Sequence, residues 1–345
     1  MPDIAEQFDL ELPVIQAPMA GSQGSALAIA VSNAGGLGSL PCAMLGPDQI
    51  RNELRVITAA TSKPYNVNFF VHRLPQRDEA REAAWAKLLA PYYAEFGIDP
   101  SAIPSGPARM PFSDDAADVL EEFKPRVVSF HFGLPSETLV ARVKQWGAKV
   151  LSSATTVDEA RWLEARGADA VIAQGFEAGG HRGSFLSDDL STQVGTFALV
   201  QQIAKAVQVP VIAAGGIADA KGVRAAMQLG AAAAQVGTAY LLCPEATTSA
   251  LHRSALKSDA AAVTALTNVF TGRPARGIVN RLMREIGPMN AGALAFPLAA
   301  SAIYPLRMKA EAQGRSEFSS LWAGQNARGC RELSAAALTG RLADV

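Results

Sequence analysis

The stretch VIAAGGIADAKGVRAAMQLGAAAAQVGT, residues 211–238, decides the fold class. Two short apolar runs, Val211–Ala213 and Ala233–Val236, have the length of buried strands, and glycine follows soon after each. Between them, Asp219 is placed to cap a helix and Gly230 is placed to end it. A strand, a helix and a second strand in this order are typical of a parallel sheet whose crossover connections are helices.

The same alternation extends along the chain, since eight apolar runs of strand length are separated by longer helix-patterned segments. The predicted strands are Val14–Ala17, Leu37–Leu40, Tyr65–Phe70, Val127–Phe130, Lys149–Ser152, Ala170–Ala173, Val211–Ala213 and Ala233–Val236. A second helix with the same start and stop pattern is predicted over Thr156–Gly167, with Thr156 or Asp158 at its start. An open doubly wound sheet would alternate in the same way, but eight strands with no extra run favour an α/β fold closed into a (β/α)₈ TIM barrel.

Two segments do not fit this repeat. A proline-rich stretch with one predicted helix, Arg77–Leu89, lies between the third and fourth strands, and about 100 residues follow the eighth strand. Long excursions of this kind usually cover the mouth of a barrel, so we expect a smaller, mostly helical lid or substrate domain. A final helix near Leu321–Leu333 is expected to return to the barrel wall. The predicted division gives residues 1–76, 113–241 and 314–345 to the barrel, and residues 77–112 and 242–313 to the lid.

The composition excludes several classes of partner. The 345 residues are 49% apolar and 18% charged, so the chain can bury one large core or a core with an appendage. It has 31 basic and 32 acidic residues, a net charge of −1, and no basic cluster that would mark a nucleic-acid or membrane partner. We therefore expect a small-molecule substrate, and a monomer or a homodimer.

Neither a targeting segment nor a metal site is expected. No basic region followed by an apolar run opens the chain, and no uninterrupted apolar stretch reaches the roughly 18 residues of a membrane span. Cys42, Cys243 and Cys330 are far apart and do not fit a metal-binding spacing. Reduced, isolated cysteines suit the cytoplasm, which is the expected location.

The loops after the last two predicted strands have the composition of a phosphate site. Gly215 and Gly216 follow the seventh strand, and Val236, Gly237 and Thr238 close the eighth. Glycines let backbone N–H groups approach a phosphate closely, and the positive end of the following helix favours the anion. Either loop alone is equally consistent with glycines that only form a tight turn. Their order and position together favour a phosphate site.

The segment QGFEAGGHRG, residues 174–183, follows the sixth predicted strand and contains the best candidate for a catalytic base. His181 would lie at the catalytic end of the barrel, and the reference pKa of histidine is close to neutrality. A solvated loop histidine is the alternative. His131, at the end of the fourth strand, is a candidate for the substrate pocket or for a hydrogen-bonded wall. His72 and His252 are expected to be ordinary surface residues.

Polar and thioether side chains also stand at the ends of the first and third strands. Met19 follows the first strand, where an isolated methionine is more often a core residue. Asn66 and Asn68 share one face of the third strand, and an amide at the top of a barrel strand can donate to and accept from a heterocycle. Asn68 is the better placed of the two.

Together these motifs resemble the bacterial class I nitronate monooxygenases over nearly the whole chain. The matching motifs are QAPMAG at 16–21, AGGLGSL at 34–40, NVNFF at 66–70, SFHFG at 129–133, QGFEAGGHRG at 174–183, AAGGI at 213–217, QVGT at 235–238 and LWAGQ at 321–325. Each motif alone is weak, but the set is specific. The resemblance implies a flavin enzyme that carries FMN.

The resemblance also implies roles for individual residues. His181 falls on the catalytic base, and Met19, His131 and Tyr304 match residues that line the substrate side. The residues on the family's cofactor positions are Asn68, Gln174, Gly179, Gly216, Gln235, Val236, Gly237 and Thr238. Gly180 and Gly215, in the same two glycine-rich loops, complete the predicted cofactor-binding set.

The implied reaction is the oxidation of an alkyl nitronate, such as propionate 3-nitronate, by O₂ to a carbonyl compound and nitrite, a detoxification. His181 would be needed chiefly when a neutral nitroalkane must first lose its α-proton. An NAD(P)H-dependent quinone or enoyl reductase of the same barrel superfamily remains an alternative, although no dinucleotide fingerprint follows an early strand. A barrel that binds a phosphorylated metabolite without redox chemistry is the second alternative.

Overall fold

A parallel eight-stranded barrel forms the centre of the computed structural model, which describes residues 4–100 and 109–344. Its strands are β1 (Val14–Gln16), β2 (Gly38–Pro41), β3 (Tyr65–Phe70), β4 (Val127–His131), β5 (Lys149–Ala154), β6 (Ala170–Gln174), β8 (Val211–Ala214) and β9 (Ala233–Val236). They follow the order β1-β9-β8-β6-β5-β4-β3-β2. The barrel closes between β1 and β2, where Gln16 N donates to Leu37 O and Leu37 N donates to Val14 O, each at 2.9 Å. The predicted fold class is confirmed.

Helices surround this barrel and occupy both insertions. Their bounds are α1 (Ile4–Phe8), α2 (Ser25–Asn33), α3 (Pro47–Ala60), α4 (Glu79–Glu95), α5 (Asp114–Phe123), α6 (Glu137–Gln145), α7 (Val157–Ala165), α8 (Thr196–Ala206), α9 (Ala220–Gln228), α10 (Ala250–Lys257), α11 (Arg281–Ile286), α12 (Ala299–Ala312) and α13 (Ala335–Leu342). The predicted caps are present, because Asp219 accepts from Gly222 N at 2.9 Å and Thr156 accepts from Glu159 N at 3.2 Å. Gly230 ends its segment with φ at +101°. No helix in the described ranges is long and apolar enough to cross a membrane.

The helix predicted near Leu321–Leu333 is wrong. Leu321 and Ala323 instead run beside the strand β11 (Ala275–Ile278), since Ile278 N donates to Leu321 O at 2.8 Å and Ala323 N donates to Arg276 O at 3.2 Å. Tertiary pairing of the backbone has overridden the apolar helical spacing. The last helix of the described chain is α13, which packs against α2 and α9 on the barrel wall.

The two insertions share a hydrophobic core that is separate from the barrel interior. Trp85 and Tyr93 of α4 pack with Phe270, Ile303 and Phe318, which come from the region after the barrel. Tyr93 Oη also donates to the carbonyl oxygen of Ala302 at 2.8 Å. Phe318 belongs to the segment 314–345 that the sequence assigned to the barrel, so this core does not follow the predicted boundary. The division into barrel and lid stays a prediction.

The lid region also contains strands that the sequence did not predict. The strand β10 (Thr264–Thr267) pairs with β11, and β11 pairs in turn with β7 (Gly180–His181), which belongs to the loop after β6. The pairing register joins Ala275 to His181. The insertion after the barrel therefore contacts the loop that carries the predicted catalytic base.

Candidate active site

A cavity opens at the carboxyl ends of the barrel strands and includes about 1230 Å³ of empty space, its open mouth counted. Most of the predicted site residues line it. They are Met19, Asn68, His131, Gln174, Gly179, Gly180, His181, Gly215, Gly216, Gln235, Gly237 and Thr238. Because these residues come from six different βα units, the barrel assembles them only when its strands are closed.

Two predicted site residues lie elsewhere in this structure. The side chain of Val236 is buried in the hydrophobic core outside the cavity, although its carbonyl oxygen accepts from Ala17 N at 2.8 Å. Tyr304 is 55% exposed and does not line the cavity. Ile303 and Leu306 of the same helix, α12, are buried in the lid core, so helical spacing turns Tyr304 outward. Its substrate contact stays a prediction that this geometry does not support.

His181 lies on the two-residue strand β7, held between the barrel and the lid. Its Nε2 is 2.9 Å from Thr271 Oγ1, and its carbonyl oxygen accepts from Gln174 Nε2 at 2.9 Å. Burial, followed by the charge of Arg109, holds the pKa of His181 well below its ordinary value. A neutral imidazole inside the cavity has a lone pair that can accept a proton.

His131 combines the two roles that the sequence left open for it, a place in the pocket and a hydrogen-bonded place in the wall. It lines the cavity, and both of its ring nitrogens are hydrogen-bonded. Nε2 is 3.2 Å from the carbonyl oxygen of His181, which can only accept, so Nε2 carries the proton. Nδ1 therefore accepts from the Ser153 hydroxyl at 3.0 Å. Burial lowers the pKa of His131 to about 3, so the ring is neutral at pH 7 and only one of its nitrogens carries a proton.

The expectation that His72 and His252 are surface residues is wrong. Both are buried, and His252 lines the cavity while its Nε2 lies 3.1 Å from the carbonyl oxygen of Trp322. His72 packs against the Phe296 ring at 4.8 Å. Burial lowers the pKa of each to about 4, so both are neutral at pH 7.

Sequence reasoning missed the residue next to the base. Arg182 has no exposed surface, and its guanidinium donates to the carbonyl oxygens of Gly175 at 2.6 Å and Gln174 at 2.8 Å. Its Nε donates to Gln193 Oε1 at 2.9 Å. An arginine in a glycine-rich loop is expected to be solvent-exposed. Only the position of Arg182 within the QGFEAGGHRG motif could have indicated its role. In the structure it ties the His181 loop to the end of β6.

The glycine loops after β8 and β9 have the backbone geometry of a close ligand cradle. Gly215 and Gly216 have φ values of +123° and +73°, which side chains with a Cβ rarely adopt. Thr238 Oγ1 accepts from Gly324 N at 3.0 Å, which leaves its hydroxyl hydrogen for another partner. Asp219 accepts from one N–H of the first turn of α9, that of Gly222, which is therefore not free for a ligand.

Gln235 contributes a polar atom of the cavity wall that lacks a partner in the described part of the chain. Gln235 Oε1 is buried and makes no hydrogen bond among the described residues. An unsatisfied buried acceptor costs roughly 1–3 kcal/mol, so its natural partner is a donor on a ligand. The ring N–H or a ribityl hydroxyl of a flavin has the required chemistry, and the residues present therefore fit such a group.

The cavity has an unbalanced charge. In the part of the chain that the structure describes, its lining includes Arg109 and three histidines but no aspartate or glutamate. The Arg109 guanidinium carbon lies 5.9 Å from the centre of the Phe296 ring, which also packs against His181. Arg109 comes from the proline-rich insertion, where no sequence pattern distinguished it. A cavity of this kind favours an anionic ligand.

Comparison with known proteins gives one consistent result. The family model described as nitronate monooxygenase matches residues 2–344. Nitronate monooxygenase from Pseudomonas aeruginosa is 45% identical, with 95% of this chain and 94% of that protein covered. Nitroalkane oxidase from Streptomyces ansochromogenes superposes with a TM-score of 0.89 at 39% identity, with 99% and 96% coverage. FabK from Thermotoga maritima is similar at a TM-score of 0.74 and 29% identity, with 98% and 94% coverage.

Proposed function

The chain belongs to the nitronate monooxygenase family, an oxidoreductase family that acts with oxygen, and we propose that it oxidises alkyl nitronates with O₂ at a bound FMN. The products would be a carbonyl compound and nitrite, and propionate 3-nitronate would be the substrate. The observation that carries this proposal is a cavity with a cation, neutral histidines and no carboxylate at the carboxyl ends of the barrel strands. Such a cavity favours a nitronate, which is an anion, over a neutral compound. The proposed role is detoxification in the cytoplasm.

The glycine loops after β8 and β9 would hold the FMN phosphate. Backbone N–H groups of Gly216 and Gly237, with the hydroxyl of Thr238, are the proposed donors. Gln235 would accept a hydrogen bond from the flavin, and Asn68 would contact its ring system. When bound, the flavin would supply the redox chemistry that links nitronate oxidation to O₂.

The protein's own contribution would be to bind, to orient and to move one proton. A preformed nitronate has already lost its α-proton and needs only positioning. A neutral nitroalkane must first give that proton to the imidazole of His181. His131 and Gln174 both bond the carbonyl oxygen of His181 and would keep the base in place.

The experiment that tests this function measures nitrite release and O₂ consumption with propionate 3-nitronate, alongside NADH consumption. Purified protein should be yellow, should release nitrite in air and should not bleach rapidly on anaerobic mixing with NADH. Rapid bleaching without nitrite release would favour a flavin reductase. A colourless protein that cannot be reconstituted with FMN would contradict both flavin functions and leave the non-redox barrel.

The substitution Gln235→Leu is expected to weaken FMN binding without lowering the stability of the apoprotein. We expect FMN affinity to fall about 10-fold, because the ligand loses one buried acceptor, while the apoprotein keeps or gains stability. Leucine removes the unpartnered Oε1 without much change of volume. Fluorescence titration with FMN and thermal unfolding of the apoprotein are the measurements. Unchanged FMN affinity would show that Gln235 does not contact the flavin.

A further inference from the structure

We propose that Arg109 forms an anionic subsite that binds a carboxylate at the far end of the substrate and so selects nitronates that carry a second negative charge. This inference rests on the proposed function, because the nitronate end defines the other end of the substrate. The class of ligand is a short aliphatic nitronate with a terminal carboxylate.

The guanidinium of Arg109 faces the cavity with part of its hydrogen-bonding capacity unused. Arg109 lines the cavity, and its Nη1 is buried without a hydrogen-bond partner among the described residues. Burial, with a contribution from Arg307, lowers the pKa of Arg109 to about 10, so it stays charged at neutral pH. Arg109 as a whole is half-buried, but its Nη1 is withdrawn from water without a partner, which is costly until an anionic ligand supplies one.

Among the residues that the structure describes, none supplies a counterion to Arg109. The titratable groups that face it are Arg307 and the neutral imidazoles of His72 and His181. Arg307 is paired with Glu311 at 3.1 Å, whereas no ion pair to Arg109 is found in the described ranges. The cavity lining described there contains no carboxylate either. The missing charge must come from the ligand.

The position of Arg109 separates it from the proposed phosphate loops. Phe112, three residues later, donates its N–H to the carbonyl oxygen of Phe70 at the end of β3 at 2.8 Å. In the closed barrel order, β3 and β4 lie across from β8 and β9, whose loops carry the glycines. The guanidinium is therefore placed for a second anion and not for the cofactor phosphate.

Arg109 and His181 also flank a common aromatic ring. The centre of the Phe296 ring is 5.9 Å from the Arg109 guanidinium carbon and 5.3 Å from the His181 ring centre. A short substrate can thus place its nitronate carbon near His181 and its carboxylate at Arg109. A planar guanidinium pairs with carboxylate through two parallel hydrogen bonds, which gives orientation as well as charge.

The test compares two preformed nitronates with the same three-carbon chain, propionate 3-nitronate and 1-propyl nitronate. We expect Arg109→Met to lower kcat/KM about 100-fold for the first and less than about 3-fold for the second. Arg109→Lys, which keeps the charge, should recover part of the loss. Arg307→Met removes a neighbouring charge outside the cavity and should change the ratio of the two substrates less than about 2-fold.

A binding measurement tests the same subsite without turnover. Succinate resembles a carboxylated nitronate, and butyrate lacks the second charge. We expect succinate to raise the Tm of the FMN-loaded enzyme more than butyrate does, because the single carboxylate of butyrate can occupy only one end of the pocket. Arg109→Met should abolish the succinate shift. An equal fall in kcat/KM for both nitronates, or a succinate shift that survives in Arg109→Met, would overturn the subsite. If the wild-type enzyme oxidised neither nitronate, the proposed function would fail, while the succinate result would still decide the subsite.

Discussion

Replacing His181 by asparagine is expected to lower kcat/KM for a neutral nitroalkane by about 10² to 10⁴, the usual contribution of a general base. The rate with the preformed nitronate should stay within about 3-fold, because that substrate has no proton to lose. Asparagine is polar and smaller than histidine, so it fits the same space, although its amide does not reach the Nε2 position that lies 2.9 Å from Thr271 Oγ1. The measurement is nitrite release with nitroethane and with ethyl nitronate under the same conditions.

The control for this experiment is His72→Asn. His72 is buried beside the same Phe296 ring but is absent from the cavity lining. Its replacement should change kcat/KM for the nitroalkane and for the nitronate in the same proportion. If His181→Asn also lowered both rates equally, the imidazole would act on the flavin, on the nitronate or on folding, and its assignment as the base would be wrong.

Replacing Arg182 by methionine should have the largest effect on stability. The guanidinium bonds three acceptors, two of them backbone carbonyl oxygens at the end of β6. Its loss would remove all three bonds, although the carbonyl oxygen of Gly175 would keep the N–H of Ala178 at 3.1 Å. We expect the free energy of unfolding to fall by about 3–5 kcal/mol. Thermal unfolding of the FMN-loaded protein measures the loss. The ratio of nitroalkane to nitronate activity should fall as well, because the loop that carries His181 loosens.

Arg253→Met is the matched variant. Like Arg182, Arg253 donates to backbone carbonyl oxygens, in its case those of Thr248, Leu242, Cys243 and Ala246. It is absent from the cavity lining, so its replacement should destabilise the protein without changing the ratio of the two activities. An unchanged ratio in Arg182→Met would limit that residue to a structural role.

Local chemistry allowed much of this fold to be predicted. The bounds of β3 and β9 were predicted as they stand, and the caps at Asp219 and Thr156 were found, because strand length and capping depend on neighbouring residues. The segment from Leu321 failed because its partner, β11, lies more than 40 residues earlier in the chain. The spacing of apolar residues within a segment does not indicate a pairing with a distant strand.

Some residues of the candidate site were predictable from local sequence, and others were not. Glycine loops and a histidine at strand ends are visible in the sequence, since the barrel always brings those ends together. Arg182 and Arg109 act through burial and through the lack of a counterion, which depend on distant segments. Their residue type alone indicates solvent-exposed side chains.

The shared core of the two insertions has a consequence for how the chain is made. Helix α4 emerges from the ribosome long before Phe270, Ile303 and Phe318, the residues that bury its Trp85. Folding follows synthesis from the N-terminus. The apolar face of α4 therefore stays exposed while nearly the whole barrel is synthesised. During that interval it is a surface that chaperones can bind and that can drive aggregation. Truncated nascent chains that end before residue 265 should therefore depend on chaperones more than the full-length protein does.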